Sequence, residues 1–196
     1  DKLLPGLKKD DIQPFFCDVC AKTKIKQAHF PKVNLKRSTT PMQRQCMDVA
    51  GPFKYKGTSG EMYYLLTADD ATGWTEITTL ENLAAMTPKI QAHMARLPKL
   101  PKMIRLDPAG YFDSKQLKAW AATQNIALEY CQPRRHQQNG CAEATVVAIN
   151  QVARCMMVHS GLPPKFWPYA VRYASFVRNR CTSASGKSPP LTQVNG

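Results

Sequence analysis

The order of apolar segments after residue 45 is the feature that most limits the folds open to this chain. Three stretches there, QCMDVAGPF, EMYYLLTADDA (61–71) and WTEITTL (74–80), are short, rich in aliphatic, aromatic and β-branched residues, and separated by turn sequences. Three consecutive strands with short connections predict an antiparallel meander. The strands and helices that follow are therefore expected to belong to the same sheet structure.

Helical and strand patterns alternate after the meander. Residues 83–97 have helical spacing, and Pro88 inside them predicts a kink or a late start. PKMIRLD (101–107) is strand-like, Ser114 fits an N-cap for the amphipathic helix KQLKAWAATQN, and IALEYCQP (126–133) is a further strand. The chain is therefore predicted to be α/β, with a mixed sheet.

The last third of the chain is mostly helical by pattern. Residues 141–161 predict one long helix that stops at Gly161. Residues 163–181 predict one or two more helices, and the closing segment is rich in Ser, Gly and Pro. The apolar stripe expected on the long helix consists of Ala142, Val146, Ile149, Ala153 and Met156.

Charge is distributed unevenly over the 196 residues, whose net charge is +13. Residues 1–45 hold ten Lys or Arg against four acids, residues 46–110 hold seven of each, and residues 161–196 hold five Lys or Arg and no acid. Basic ends favour a polyanion such as nucleic acid, although a solvated basic surface without a partner would look the same. A hydrophobic fraction of 43% and the lack of an unbroken apolar run near ~20 residues predict a soluble globular protein with no membrane partner.

The first 26 residues centre on FFCDVCAKTK, in which Cys17 and Cys20 have the spacing of half a zinc site. His29 is the one nearby imidazole, so a complete site inside this chain is not expected, and the missing ligands could lie upstream. A redox role for this pair lacks the usual strand–helix context. Seven cysteines, an odd number and mostly scattered, indicate a reducing compartment. The start of the chain has no signal-peptide pattern and is typical of the interior of a longer polypeptide.

Three carboxylates stand where secondary-structure elements meet turns. Asp48 lies in the first strand, Asp107 ends the fourth, and Glu143 opens the long helix. If the first and fourth strands were neighbours, the three could converge, and clustered carboxylates suit Mg²⁺ or Mn²⁺. Two alternatives remain open from spacing alone: Asp before Pro is common turn chemistry, and the three acids could be unrelated surface residues.

From residue 45 onward the chain resembles the catalytic core of retroviral-type integrases, in particular those of copia-type LTR retrotransposons. The resemblance is carried by MDVAGPF, IRLDPAGYF, PRRHQQNGCAE and LPPKFWPYAVRYASFVRNR, and by thirty-five residues between Asp107 and Glu143. SGKSPPLTQVNG is similar to the motif that closes this core. FFCDVCAKTK resembles the second half of the His-His-Cys-Cys zinc module that precedes such cores.

This resemblance implies four segments: the end of a zinc-binding module (1–26), a basic linker (27–44), the catalytic core (45–182) and a tail (183–196). The implied fold is ribonuclease H-like, a five-stranded mixed sheet with helices on both faces. The implied activity is that of a nuclease and DNA strand transferase, encoded within a polyprotein, that trims 3′ ends of element DNA and joins them to target DNA.

The implied site consists of Asp48, Asp107 and Glu143 holding two Mg²⁺ or Mn²⁺ ions, with Zn²⁺ possible at Cys17 and Cys20. DNA is the implied partner of a homo-oligomer acting in the nucleus after a cytoplasmic particle stage. Candidate DNA contacts are polar or basic residues near Glu143: Arg134, Arg135, His136, Gln138, Asn139, Asn150 and Arg154. For the polar loop, a solvated surface without DNA is the alternative.

Two departures from the family pattern bear on activity. Pro108-Ala109-Gly110-Tyr111 replaces the usual Asn-Gly-Gly-Glu, and the helix after Glu143 carries no basic residue before Arg154. We therefore expect weaker DNA binding beside the site. Two other functions stay open: an inactive or domesticated core that binds DNA or proteins, and a ribonuclease H-like nuclease without strand transfer.

Overall fold

A computed structural model describes residues 17–19, 37–97, 99–131, 140–182 and 187–195. Within these residues five strands form one sheet in the order β3-β2-β1-β4-β5. Strands β1–β3 make the predicted antiparallel meander, whereas β4 runs parallel to β1 and β5 parallel to β4. The strands are β1 Arg44–Ala50, β2 Tyr63–Asp69, β3 Thr75–Leu80, β4 Met103–Leu106 and β5 Ala127–Tyr130.

Five α-helices accompany this sheet in the described residues. A 3₁₀ turn, Leu83–Ala85, precedes the first helix, and another, Pro164–Phe166, precedes the fourth. The predicted segment 163–181 is therefore one turn and one helix. The helices are α1 Met86–Met94, α2 Lys115–Thr123, α3 Gly140–Ser160, α4 Trp167–Arg180 and α5 Pro190–Asn195.

Local sequence explains where three of these helices begin or end. Pro88 falls in the first turn of α1, where a missing N–H costs no intrahelical bond, so the late start is observed. The Ser114 hydroxyl accepts a hydrogen bond from Leu117 N at 3.0 Å and caps α2, as predicted. Gly161 follows α3 with φ of 65°, a conformation that suits glycine at a helix end.

Helices cover both faces of the sheet, which confirms the predicted ribonuclease H-like architecture. Strand β1 shows how one strand serves both layers: Cys46 and Ala50 pack into a cluster with α3 and α4, while Met47 packs into a cluster with α1 and α2. This alternation follows from the two-residue period of a strand. Asp48 shares its face with Cys46 and Ala50, and so lies on the side of α3.

Two expectations for the last third need correction. The apolar face of α3 includes buried Thr145, and Met157 packs on the core where Met156 was expected. The Ser-, Gly- and Pro-rich tail contains helix α5, which packs against α4. Tertiary contact with α4 thus decides the structure of a segment whose composition favours irregular chain.

Helix α3 is mostly apolar, although polar and charged residues such as Glu143 and Arg154 interrupt it. Among helices of the described part of the chain, it alone is long and apolar enough to cross a membrane, judged by length and composition. That is weak evidence for a span, because one face of α3 packs on the sheet through Ala142, Ile149 and Ala153.

We predict that Asn179→Ala weakens the attachment of α4 to β3. The buried Asn179 side chain accepts from Thr75 N at 2.8 Å and donates to Thr75 O at 2.7 Å. The substitution leaves the buried Thr75 N–H without this acceptor, so the free energy of unfolding in urea should fall by about 2 kcal/mol. Asn82→Ala, which removes an exposed cap bond to Ala84 N, is the matched control and should cost less than about 1 kcal/mol. Equal losses in the two variants would contradict the proposed attachment.

Candidate active site

Asp48 lies near the end of β1, half-buried on the face that α3 covers. Its Oδ1 accepts a hydrogen bond from Val49 N at 2.8 Å, which fixes the carboxylate against the backbone. The strand that carries it pairs with β2 on one side and β4 on the other, so the position of Asp48 is set by the centre of the sheet.

Asp107 follows the last residue of β4 and is also half-buried. The parallel register pairs Arg44 with Met103 and Cys46 with Arg105. Continued by two residues, this register places Asp107 level with Asp48. The condition stated for the sequence, that the first and fourth strands be neighbours, is therefore met.

The pKa of Asp48 reflects the proximity of Asp107. The pKa of the Asp48 carboxyl is raised from 3.8 to about 6: burial is the largest cause, the Val49 hydrogen bond acts to lower it, and the charge of Asp107 acts to raise it. A carboxyl group with this surrounding binds a proton or a cation more readily than an exposed one does.

Glu143 lies in the first turn of α3, where the helix dipole favours a negative charge. The pKa of the Cys131 thiol is raised to about 11, by burial first and then by nearby negative charges that include Asp107 and Glu143. The sulfurs of Cys46 and Cys141 lie within 4.8 Å of each other, so the first turn of α3 lies against β1. Glu143 thus stands on the same side of the sheet as the two aspartates.

Two tyrosines beside the acids were not singled out from the sequence. Asp48 and Asp107, together with burial as the larger cause, raise the pKa of Tyr111 to about 12. Tyr64 is fully buried, and its hydroxyl donates to Asn150 Oδ1 at 2.9 Å. Tyr111 could have been found, because it occupies the place of the acid that the family pattern has after the glycines. Nothing in the sequence distinguished Tyr64 from an ordinary aromatic residue of the core.

The three carboxylates supply hard oxygen donors of the kind that Mg²⁺ and Mn²⁺ prefer, and the raised pKa of Asp48 reflects its burial, with a smaller contribution from the charge of Asp107. They are nevertheless not drawn tightly together. Among the described residues, the one group of three metal-ligating side chains within 4.8 Å of one another is Cys46, Asp70 and Cys141.

Most of the other predicted site residues cannot be placed. Only Cys17 of the zinc pair is described, and it is partly exposed. Arg154 is exposed on α3, and the Asn150 oxygen is held by Tyr64, which leaves Asn150 oriented towards the protein interior. Six predicted residues lie outside the described part of the chain: Cys20, Arg134, Arg135, His136, Gln138 and Asn139.

Comparison with known proteins confirms the expected resemblance. No family model matches the chain. The Retrovirus-related Pol polyprotein from transposon TNT 1-94 of Nicotiana tabacum is 28% identical over an alignment of 185 residues, and the match covers 92% of this chain and 14% of that polyprotein. The chain thus spans about one seventh of the length of this curated relative.

Solved structures share the fold. A chain of the simian T-cell lymphotropic virus intasome in complex with PP2A regulatory subunit B56 gamma aligns with a TM-score of 0.71 at 15% identity, covering 92% of this chain and 63% of that one. The HTLV-2 integrase catalytic core domain in complex with magnesium (trimeric form) aligns with a TM-score of 0.60 at 18% identity, covering 78% and 97%. The fold is that of an integrase catalytic core.

We predict that Asp48 opposes folding at neutral pH. Because its pKa is higher in the folded chain than in the unfolded one, the stability that its protonated form contributes is lost as pH rises from about 4 through 6. Asp48→Asn should therefore unfold in urea with a free energy about 1–3 kcal/mol higher than the wild type at pH 7.5 in EDTA, and with nearly the same value at pH 4. Asp113→Asn, at an exposed site, is the control and should change stability little at either pH. Identical wild-type and Asp48→Asn stabilities at pH 7.5 would contradict this assignment.

Proposed function

We propose that this chain, which resembles integrase catalytic cores in sequence and fold, is the core of a polynucleotidyl transferase encoded within a retrotransposon polyprotein. It would trim the 3′ ends of element DNA and join them to target DNA. The observation that carries the proposal is the parallel register of β1 and β4, which brings Asp48 level with Asp107 on the face where α3 presents Glu143.

Asp48, Asp107 and Glu143 are the residues proposed to hold Mg²⁺ or Mn²⁺, and the HTLV-2 core was solved in complex with magnesium. Two such ions, when bound, would activate an attacking oxygen and stabilise the leaving oxygen of a phosphodiester. The chain itself supplies the orientation: the Val49 N–H fixes the Asp48 carboxylate, and the β1–β4 register fixes its position against Asp107.

DNA is the proposed partner, supported by the net charge of +13 and by a neighbour that is part of an intasome. We propose that the polar loop residues Arg134, Arg135 and His136, with Arg154 on α3, contact phosphates. A homo-oligomer acting in the nucleus, a zinc module ending near residue 26 and a core spanning 45–182 are further parts of the proposal.

A DNA- or protein-binding module without catalysis is the second candidate. Tyr111 favours it, because an aromatic phenol stands beside Asp48 and Asp107 where the family pattern has an acid. A site with one fewer carboxylate group nearby attracts divalent cations less strongly.

The reaction can be tested on a labelled branched duplex that presents a 3′-hydroxyl beside a phosphodiester, in Mn²⁺. We expect the wild type to join the strands and Asp107→Asn to lose about 100-fold or more of this rate, because a carboxylate of the site is removed. The exposed Asp113→Asn variant should keep the wild-type rate within about threefold, and EDTA should stop the reaction.

Other outcomes separate the candidates. Retarded DNA bands without any joining, unchanged by Asp107→Asn, would reject the transferase and favour the binding module. Nicking without joining would favour a ribonuclease H-like nuclease.

The missing basic residue beside Glu143 gives a second test. Val147 is 56% exposed and lies one turn after Glu143, so Val147→Lys should add a phosphate contact. We expect tighter binding of a labelled duplex in fluorescence anisotropy, with a plot of log affinity against log salt that is steeper by about 0.9.

Val158→Lys is the matched control, since Val158 is also 56% exposed on α3 but lies ~16 Å further along the helix. The same gain in both variants would show that net charge alone controls binding and would argue against a DNA surface next to Glu143.

A further inference from the structure

Two cysteines from distant parts of the chain meet beside the candidate active site. Cys46 lies on β1 and is fully buried, and Cys141 lies in the first turn of α3 and is partly exposed. Their two sulfurs lie within 4.8 Å of each other and of a carboxylate oxygen of Asp70. Each cysteine is two residues away from a proposed catalytic acid, Asp48 or Glu143.

A metal ion is one possible ligand for these three side chains, but their surroundings disfavour it. Asp70 Oδ2 already accepts from Ser38 N at 2.8 Å and from Arg44 Nη1 at 3.1 Å. Three further guanidinium groups act electrostatically on the two thiols: those of Arg37, Arg105 and Arg178. These positive charges therefore oppose the binding of a metal cation, whereas they do not prevent a bond between the two sulfurs.

We propose that Cys46 and Cys141 are an oxidant-sensitive pair, which a two-electron oxidant such as hydrogen peroxide converts into a disulfide. The sulfur of Cys141, the less buried residue of the pair, attacks peroxide; the O–O bond breaks, one oxygen stays as a sulfenic acid and the other leaves as water. The Cys46 sulfur then attacks the Cys141 sulfur, the S–S bond forms, and the S–O bond breaks with release of a second water. Two thiols are oxidised, and one peroxide is reduced to two waters.

The bond would tie the first turn of α3 covalently to the central strand of the sheet. Because Glu143 is on that turn and Asp48 is on that strand, the disulfide would fix the two acids relative to each other. The thiol chemistry stands independently of the proposed integrase activity, and its test needs neither DNA nor a divalent metal.

Trypsin separates the two cysteines cleanly. Cleavage after Arg44 and Lys54 releases 45–54, in which Cys46 is the one cysteine, and cleavage after Arg135 and Arg154 releases 136–154, in which Cys141 is the one cysteine. The purified protein is treated with hydrogen peroxide, blocked with an alkylating reagent, digested without reductant and examined by mass spectrometry.

We expect a linked species of 45–54 and 136–154, lighter than the sum of both peptides by two hydrogen atoms and lost on treatment with dithiothreitol. The oxidised protein should also unfold at a Tm higher by about 5 °C, because the bond closes a long loop. Cys155→Ser, on the same helix, should keep the linked species, and Cys141→Ser should lose it.

Three results would overturn the proposal. Both thiols could stay alkylatable after peroxide, or Cys141 could appear as a sulfinic acid while Cys46 is alkylated. In the third, protein incubated with Zn²⁺ and passed through chelator would retain one zinc per chain, lost in Cys141→Ser, and this would identify a metal site. The wild-type peptide map decides the first two without any variant, so a variant that fails to fold does not affect the outcome.

Discussion

The parallel pairing of β1 with β4 is the constraint on which the rest of the structure depends. It converts a three-stranded meander into a five-stranded mixed sheet, because β5 is added only to β4. It also sets which side chains face α3. A slip of one residue in this register would turn Asp107 to the opposite face from Asp48, since strand side chains alternate. Architecture and site are thus fixed by the same backbone hydrogen bonds.

That arrangement places a charge where the fold would otherwise be apolar. Asp48 shares its face with Cys46 and Ala50, which belong to the cluster beneath α3 and α4, and burial is the largest cause of its raised pKa. Sites that need a desolvated carboxylate accept such a cost in stability. The sheet tolerates it because the opposite face is closed by a second apolar cluster, with Met47, Leu65 and Ile104 fully buried.

Periodicity and capping residues predicted most of the fold from the sequence. The five strands, the late start at Pro88, the Ser114 cap and the stop at Gly161 depend on local chemistry that a few residues encode. Helix α5 was missed, since it rests on contact with α4 and not on its own composition. The three acids were expected where strands or a helix meet turns, but the neighbours Tyr64 and Cys131 were not expected, because their proximity exists only after β1, β4 and α3 have assembled. The assignment of catalytic roles stays a prediction.

The two departures from the family pattern act on the electric field in opposite directions. Tyr111 removes a negative charge next to Asp48 and Asp107, and Val147 leaves out a positive charge one turn from Glu143. Fewer charged side chains of either sign therefore lie close to the three acids. The excess of Lys and Arg lies in residues 1–45 and 161–196. Charges further from the site than a Debye length of about 8 Å contribute little to binding at the site in physiological salt. The proposed DNA binding should accordingly rely on the basic ends of the chain more than on the helix that carries Glu143.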